Sequence, residues 1–250
     1  MREWLRGNEY LKIVEKIELE ILRYKMNLKL AFSNMFRLLS FSITREEMMN
    51  FSKRDLYLGI FITWIVGIGR YWDDPGAKLL QHLGIGSVVY IFVLSFFVWL
   101  LFKPFRIKDW SYTNLLTFVS LTSLPAILYA IPVERFLSMD LSAKINAYFL
   151  LVVAVWRVAL LFFYLRRYAN TTRIETGVAT LLPLTAIVSS LTALNLERAV
   201  FNIMGGIREK TSNDSAYAIL NLLTFLSILL VGPLLISYAV IIYKKYKSKN

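Results

Sequence analysis

The residue whose type and position carry the most chemistry is Arg157, which stands inside an apolar run near the centre of a long apolar block. A guanidinium at the centre of a membrane-spanning helix costs at least about 2.5 kcal/mol, so it must face protein, water or an anion. No Asp or Glu lies at matching depth in the other apolar blocks. We therefore expect its partner to be a backbone carbonyl, an anionic lipid or ligand, or a hydroxyl such as those of Ser120, Ser123 and Ser189. A role in locking the helix and a role in a permeation path or ligand site both stay open.

A second group of reactive side chains flanks the apolar blocks on the side predicted to face outward. The group consists of Arg70, Asp73, Asp74, His82, Glu134, Arg135, Glu197 and Arg198. Its carboxylates and its histidine could bind a divalent cation or assist acid–base chemistry. The alternative is an ion-paired cap that fixes the helix ends, with Tyr71 and Trp72 as anchors in the membrane interface.

Other catalytic signatures are absent from the sequence. The chain has no cysteine and a single histidine, His82. It contains no phosphate-binding glycine loop, no nucleophile elbow and no zinc-binding spacing. We therefore predict no catalytic residue, no cofactor and no metal site, although an enzyme acting on a lipid or envelope substrate through the outward carboxylates stays an alternative.

Composition places the chain in the class of membrane proteins. Of its 250 residues 57% are hydrophobic and 18% are charged, and the mean hydropathy is +0.53. The apolar residues fall in blocks of roughly 20, the length that a spanning helix needs. This pattern excludes an ordinary soluble enzyme and a disulfide-stapled secreted module, and no cleaved signal peptide is expected. It predicts an all-α polytopic bundle of six transmembrane helices at Leu56–Tyr71, Gly84–Phe102, Asn114–Pro132, Asn146–Leu165, Gly177–Leu196 and Ala216–Tyr243.

Residues 1–55 are polar but strongly periodic, which predicts an amphipathic, coiled-coil-like N-terminal helix. Apolar residues follow steps of four and three for about four heptads, at Tyr10, Val14, Ile17, Ile21, Tyr24, Leu28, Ala31, Met35 and Leu38. The candidate oligomer seam comprises Val14, Ile17, Ile21, Tyr24 and Leu28. Phe32, Phe36 and Leu39 widen the apolar face beside basic residues, as on a helix that lies on an anionic membrane. Docking on the rest of the protein, self-association and membrane-surface binding are the three uses considered.

Small residues repeat every four positions in the first predicted span. Gly59, Thr63 and Gly67 would form one face on which another helix backbone can approach closely. Packing within the chain is one use of this helix-packing face, and contact between copies of the chain is the other.

The charge of +12 is explained by orientation. Most of the 29 Lys and Arg fall in the segment 1–55, in the loops after the second and fourth predicted spans, and in the tail 244–250. The positive-inside rule then places both termini in the cytoplasm, with the span domain 56–243 in a bacterial or archaeal inner membrane. Anionic lipid on the cytoplasmic side is the expected partner, and nucleic acid is not.

Several stretches resemble bacterial members of the Yip family, multispan membrane proteins whose eukaryotic relatives bind Rab GTPases. The similar stretches are Asn34–Leu39, Leu121–Leu128, Trp156–Arg157, Tyr164–Arg167 and Leu181–Pro183. The resemblance implies a non-enzymatic integral membrane protein, and it supplies no catalytic residues.

The sequence therefore favours a non-enzymatic membrane protein that acts by assembly or by organising the membrane. An oligomeric channel, transporter or membrane-perturbing effector, for example in bacterial defence, is the alternative, with Arg157 lining an aqueous path. A homo-oligomer and a protein partner at the N-terminal helix are both compatible with these functions.

Overall fold

The computed structural model describes residues 28–72, 76–200 and 214–247. Within these ranges every regular element is a helix. The α-helices are α1 (28–39), α2 (Arg45–Met49), α3 (Lys53–Gly69), α4 (Leu79–His82), α5 (Ile85–Phe102), α6 (Tyr112–Leu121), α7 (Met139–Tyr168), α8 (Arg173–Ala193), α9 (197–200) and α10 (Asp214–Lys247). Three 3₁₀ segments, Lys103–Phe105, Leu124–Ala130 and Val133–Arg135, connect them.

Four of these helices are long and apolar enough to cross a membrane, over Ile85–Phe105, Lys144–Tyr168, Arg173–Ala193 and Tyr217–Lys247. A fifth crossing results if α6 and the 3₁₀ residues that follow it are counted together, although they are bent by 40°. The all-helical class is thus confirmed for the described residues, and four of the helices are candidate membrane spans. The six-span topology stays a prediction, because α3 has 17 residues and the third predicted span is broken.

Side-chain caps start three of the helices. The Thr44 and Ser52 side chains accept hydrogen bonds from the backbone amides of Glu47 and Asp55, whose carboxylates bond back to the cap residues. Thr172 begins α8 in the same way. The capping boxes at Thr44 and Ser52 follow the sequence pattern of Ser or Thr with an acid three residues later.

Polar contacts gather several helix termini at one end of the molecule, here named the basic end. Tyr168 at the end of α7 donates its hydroxyl to the Asp109 carbonyl just before α6, and its own carbonyl accepts from Arg45 Nε in α2. Lys245 near the end of α10 pairs with Glu175 at the start of α8, with an Nζ–Oε1 distance of 3.1 Å. The ends of α7 and α10 therefore lie beside the starts of α6 and α8.

Aromatic rings fill the core below the basic end. The Tyr164 ring stacks between those of Phe118 and Tyr168, at centroid distances of 4.1 and 4.9 Å. The Tyr164 hydroxyl donates to Asn114 Oδ1, and Asn114 Nδ2 donates to the Met48 carbonyl. Because burial of large rings dominates core energetics, this cluster holds α2, α6 and α7 together.

The predicted helix-packing face of α3 is used within the chain. Thr63 Oγ1 donates to the Gly59 carbonyl and to Ser123 Oγ at the end of α6. A Cβ added at Gly59 would clash with Ser120, and one added at Gly67 would clash with Ser87. Small residues thus let α3 contact α5 and α6 at backbone distance.

Candidate functional site

Helix α1, which covers the described end of the predicted N-terminal helix, is docked on the body by a buried polar contact. Asn34 Nδ2 donates to Asp55 Oδ1 of α3 at 2.9 Å, and both side chains are buried. The second oxygen of Asp55 accepts from the Ser52 amide at 2.7 Å. A buried carboxylate is costly unless it is hydrogen-bonded, so the hydrogen bond from Asn34 lowers the cost of burying Asp55.

The C-terminal end of α1 lies against α7. The Leu39 carbonyl accepts a hydrogen bond from Trp156 Nε1 at 3.1 Å. Just beyond the helix, the Phe41 ring meets the Phe163 ring edge to face, at a centroid distance of 5.6 Å. The helix therefore extends from the start of α3 to the side of α7.

Three faces can be distinguished on α1. One face, with Ala31, Met35 and Leu38, is buried and belongs to the core. The second, here named the outer stripe, contains Leu28, Phe32 and Phe36, which are 37%, 39% and 58% exposed. The third carries the polar residues Lys29, Ser33 and Arg37, with Leu30 as the apolar exception. An apolar flank beside a basic one is typical of helices that lie in a membrane interface.

The predicted oligomer seam is described in part. Val14, Ile17, Ile21 and Tyr24 lie outside the described residues, and Leu28 lies on the outer stripe. The later positions of the same heptad pattern are the ones that α1 buries against the body.

An ion pair ties α1 to α2. The Arg37 guanidinium contacts the Glu47 carboxylate, whose other oxygen accepts from the Thr44 amide at 2.8 Å. The backbone hydrogen bond from Thr44, helped by the Thr44 hydroxyl and by Arg37, lowers the pKa of Glu47 below its usual 4.5, although burial opposes the shift. Glu47 is thus held in its charged form at the turn that returns the chain to α3.

Basic side chains are exposed around this end of the molecule. They are Lys29, Arg45, Lys53, Arg54, Lys103, Arg106, Lys108, Arg166, Arg167, Arg173, Lys244 and Lys247. Several of their charged groups lie over aromatic rings, as where Arg106 Cζ lies 3.8 Å from the centroid of Tyr246 and Lys103 Nζ lies 5.0 Å from that of Trp99. Such a surface attracts anionic lipid headgroups.

Arg157 lies near the middle of the candidate span Lys144–Tyr168 and is partly exposed. In the described ranges it makes no hydrogen bond or ion pair. Two of the hydroxyls predicted as its partners are engaged elsewhere, since Ser120 donates to the Thr117 carbonyl and Ser123 accepts from Thr63. Ser189 Oγ is buried without a partner in the described part of the chain.

The outward group of charged residues lies around aromatic rings. Arg135 Cζ stands 4.9 Å from the centroid of Trp72, whose Nε1 donates to the Ala130 carbonyl at 2.9 Å. Glu134 Oε1 accepts from Asn146 Nδ2 at 2.6 Å, which joins the 3₁₀ segment to α7.

The other described members of the outward group are not arranged as the ligands of a metal ion would be. His82 ends α4 and is partly buried, Glu197 lies in α9, and Arg198 faces the ring of Tyr217 at 5.9 Å. Asp73 and Asp74 lie outside the described residues. Among the residues that the structure describes, no three His, Cys, Asp or Glu side chains stand close enough to hold a metal ion.

Sequence reasoning did not identify Asn34 and Trp156 as functional candidates. A signal existed for Asn34, which is a polar residue inside the buried arc of α1. For Trp156 no signal existed, because its partner Leu39 lies far away in the sequence.

No protein-family model, curated protein or solved structure matches the chain.

Proposed function

We propose that the protein is a non-enzymatic integral membrane protein that organises the anionic leaflet of its membrane through α1. The observation that carries this proposal is the fixed exposure of the outer stripe, Leu28, Phe32 and Phe36, beside the basic flank of the same helix. Because α1 is anchored to α3 and α7, its phenyl rings act as a wedge that moves with the bundle.

The physical basis is the cost of exposing phenyl rings to water. Burying apolar surface is worth about 25 cal/mol per Å², so rings at a headgroup boundary gain by entering it. The basic residues of this end add attraction to anionic lipid, worth about 1 kcal/mol each near the surface. Insertion of a rigid apolar wedge into one leaflet expands that leaflet and favours curvature.

This proposal includes the predicted topology of six spans with both termini in the cytoplasm, so that the wedge enters the inner leaflet of a cytoplasmic membrane. The predicted resemblance to the Yip family, which implies the same class of protein, agrees with it. A homo-oligomer or a protein partner at residues 1–27 would extend the same function, and both stay predictions.

The test compares two matched pairs of phenylalanines in the full chain reconstituted into phosphatidylglycerol-containing liposomes. F32A/F36A removes the wedge, whereas F92A/F96A removes two rings of α5 with the same spacing and similar exposure, 40% and 54%. Electron microscopy and light scattering measure vesicle shape at equal protein incorporation. Wild type and F92A/F96A should give tubules or narrower vesicles, and F32A/F36A should leave vesicles as round as protein-free ones.

Equal deformation by F32A/F36A and wild type would contradict the proposal, as would the absence of deformation by wild type. The same vesicles, loaded with a fluorescent ion indicator, test the channel alternative. Ion flux that depends on Arg157 and not on the outer stripe would replace membrane organisation with conduction as the function.

A further inference from the structure

An apolar groove of about 450 Å³ runs along one side of α3, and the start of α5 forms its second wall. The buried residues Asp55, Gly59 and Val66 lie on the opposite side of α3, which packs against the rest of the molecule. The groove is therefore open to the surroundings of the bundle. Its lining residues are Tyr57, Ile60, Phe61, Trp64, Ile85 and Val88.

The end of the groove at Trp64 is held in place by contacts between α3 and the turn before α5. Trp64 Nε1 donates to the Leu83 carbonyl at 2.8 Å, which fixes the indole ring. Gly84 in this turn has a φ of +66°, and a Cβ there would meet the Trp64 carbonyl at 2.7 Å. The two backbones are thus in direct contact. A groove whose walls are already formed lowers the entropic cost of binding.

The opposite end of the groove, at Tyr57, carries positive charge. Lys53 and Arg54 precede Tyr57 by four and three residues, so their side chains are neighbours of the Tyr57 ring on the surface of α3. All three residues are exposed. Their side chains form no hydrogen bond or ion pair with the residues that the structure describes. Two cations and a phenol hydroxyl are therefore available for an anion where the apolar lining ends.

We propose that this groove binds one acyl chain of an anionic phospholipid from the cytoplasmic leaflet, with the lipid phosphate on Lys53 and Arg54. Cationic side chains bind phosphate oxygens through charge-assisted hydrogen bonds, and the Tyr57 hydroxyl is a further donor. The lipid fits because its chain and its headgroup are joined in the same order as the apolar lining and the cations. The inference rests on the topology included in the proposed function, but it is independent of the outer stripe of α1.

The experiment places the full chain in phosphatidylcholine nanodiscs that contain a trace of phosphatidylglycerol with a photoreactive diazirine in one acyl chain. After illumination, mass spectrometry of peptides measures the labelling of residues 57–64 and 85–88. Discs with an excess of unlabelled phosphatidylglycerol measure competition. Wild type should be labelled at both segments, and the excess should suppress this labelling. Labelling that the excess leaves unchanged would overturn the site.

The first variant fills the groove. V88W places an indole on the α5 wall and should abolish labelling of both segments. Its matched control is V93W on the same helix, because Val93 is 61% exposed and does not line the groove. V93W should be labelled like wild type, and equal labelling of V88W and wild type would overturn the site.

The second variant, K53Q/R54Q, removes the cations and decides the question alone if V88W does not fold. It should reduce labelling about tenfold or more, as expected for loss of charge-assisted hydrogen bonds. Its control, K244Q/K247Q, removes two exposed lysines from the basic end and should be labelled like wild type. Equal labelling of K53Q/R54Q and wild type would overturn the site. F32A/F36A should be labelled like wild type even though it removes the wedge, so each proposal can fail without the other.

Discussion

At the scale of single residues, Gly59 sets how closely α3 and α6 approach. A Cβ at this position would meet the side chain of Ser120 and the backbone nitrogen of Leu121 at 2.9 Å. Overpacking of this kind costs about 1–3 kcal/mol. We therefore expect Gly59→Ala to lower the unfolding midpoint in detergent, followed by circular dichroism during heating.

Gly177 provides the control for this substitution, because it also lies in a helix and a Cβ there would meet nothing within 4 Å. Gly177→Ala should leave the midpoint unchanged or raise it, since Ala is the better helix former. A Gly59→Ala protein as stable as Gly177→Ala would show that α3 and α6 do not pack as described.

Glu47 gives the connection between α1 and α2 a defined dependence on pH. Its pKa is lowered in the folded protein, chiefly by the Thr44 backbone hydrogen bond. The stability it contributes is therefore present above the unfolded value of about 4.5 and is lost as the pH falls through the lower folded value. We expect Glu47→Gln to be less stable than wild type at pH 7 and equally stable in strong acid.

Thermal midpoints of both proteins across this pH range provide the measurement. Glu46→Gln is the control, because Glu46 is exposed in the same helix, and its effect should be small. A difference between wild type and Glu47→Gln that does not change with pH would contradict the assignment.

At the scale of elements, the docking of α1 depends on the pair Asn34 and Asp55. Asn34→Ala leaves the buried Asp55 carboxylate with the Ser52 hydrogen bonds alone, and an unsatisfied buried group costs about 1–3 kcal/mol. We expect α1 to detach more often from the body. Hydrogen exchange of the amides of residues 31–39 should become faster in Asn34→Ala.

Ser33→Ala is the matched control for docking, since Ser33 lies next in the chain and is exposed. Its exchange rates should equal those of wild type. Unchanged protection of α1 in Asn34→Ala would mean that the apolar face of α1 suffices and that the polar contact adds nothing.

The periodicity of α1 was readable from the sequence, but its partner was not. A stripe at Ala31, Met35 and Leu38 fits a second helix of another copy as well as a groove of the same chain. Which of the two surfaces covers the stripe depends on Asp55 and Trp156, whose contacts with α1 link residues distant in sequence. Sequence periodicity therefore predicts the apolar face of α1 but not the surface that covers it.

The break in the third predicted span was likewise only partly predictable from the sequence. Pro125 predicts a kink, and the chain does leave the α-helix after Leu121. The break is stabilised by hydroxyls that bond to helix carbonyls, as Thr122 Oγ1 does to the Val119 carbonyl at 2.8 Å. Local sequence therefore located the break, whereas the length of the 3₁₀ segment depends on its packing against α3.

At the scale of the whole molecule, the predicted topology places the basic end in the cytoplasm. Because the chain contains no cysteine, a single introduced cysteine reports on which side of the membrane its position lies. We expect Lys108→Cys, between α5 and α6, to react with a membrane-impermeant maleimide from the cytoplasmic side alone. Lys78→Cys, at the start of α4, should react from the opposite side alone. Reaction of both from one side would contradict an odd number of crossings between them.

Hydropathy predicted the four candidate spans because an apolar block of about 20 residues has few other uses. It could not predict how these segments pack. Val66, Ala126 and Val153 are separated by long stretches of chain, and their contact depends on how α3 and α7 pack against the 3₁₀ segment.

The central claim, that α1 lies in the headgroup boundary with its outer stripe in lipid, is tested most directly by measuring depth. Spin labels on Phe36→Cys and Ser33→Cys in reconstituted membranes report accessibility to oxygen, which concentrates in lipid, and to a water-soluble nickel chelate. We predict that the label at position 36 relaxes mainly through oxygen and the label at position 33 mainly through the chelate. Equal accessibility to the chelate at both positions would contradict the account.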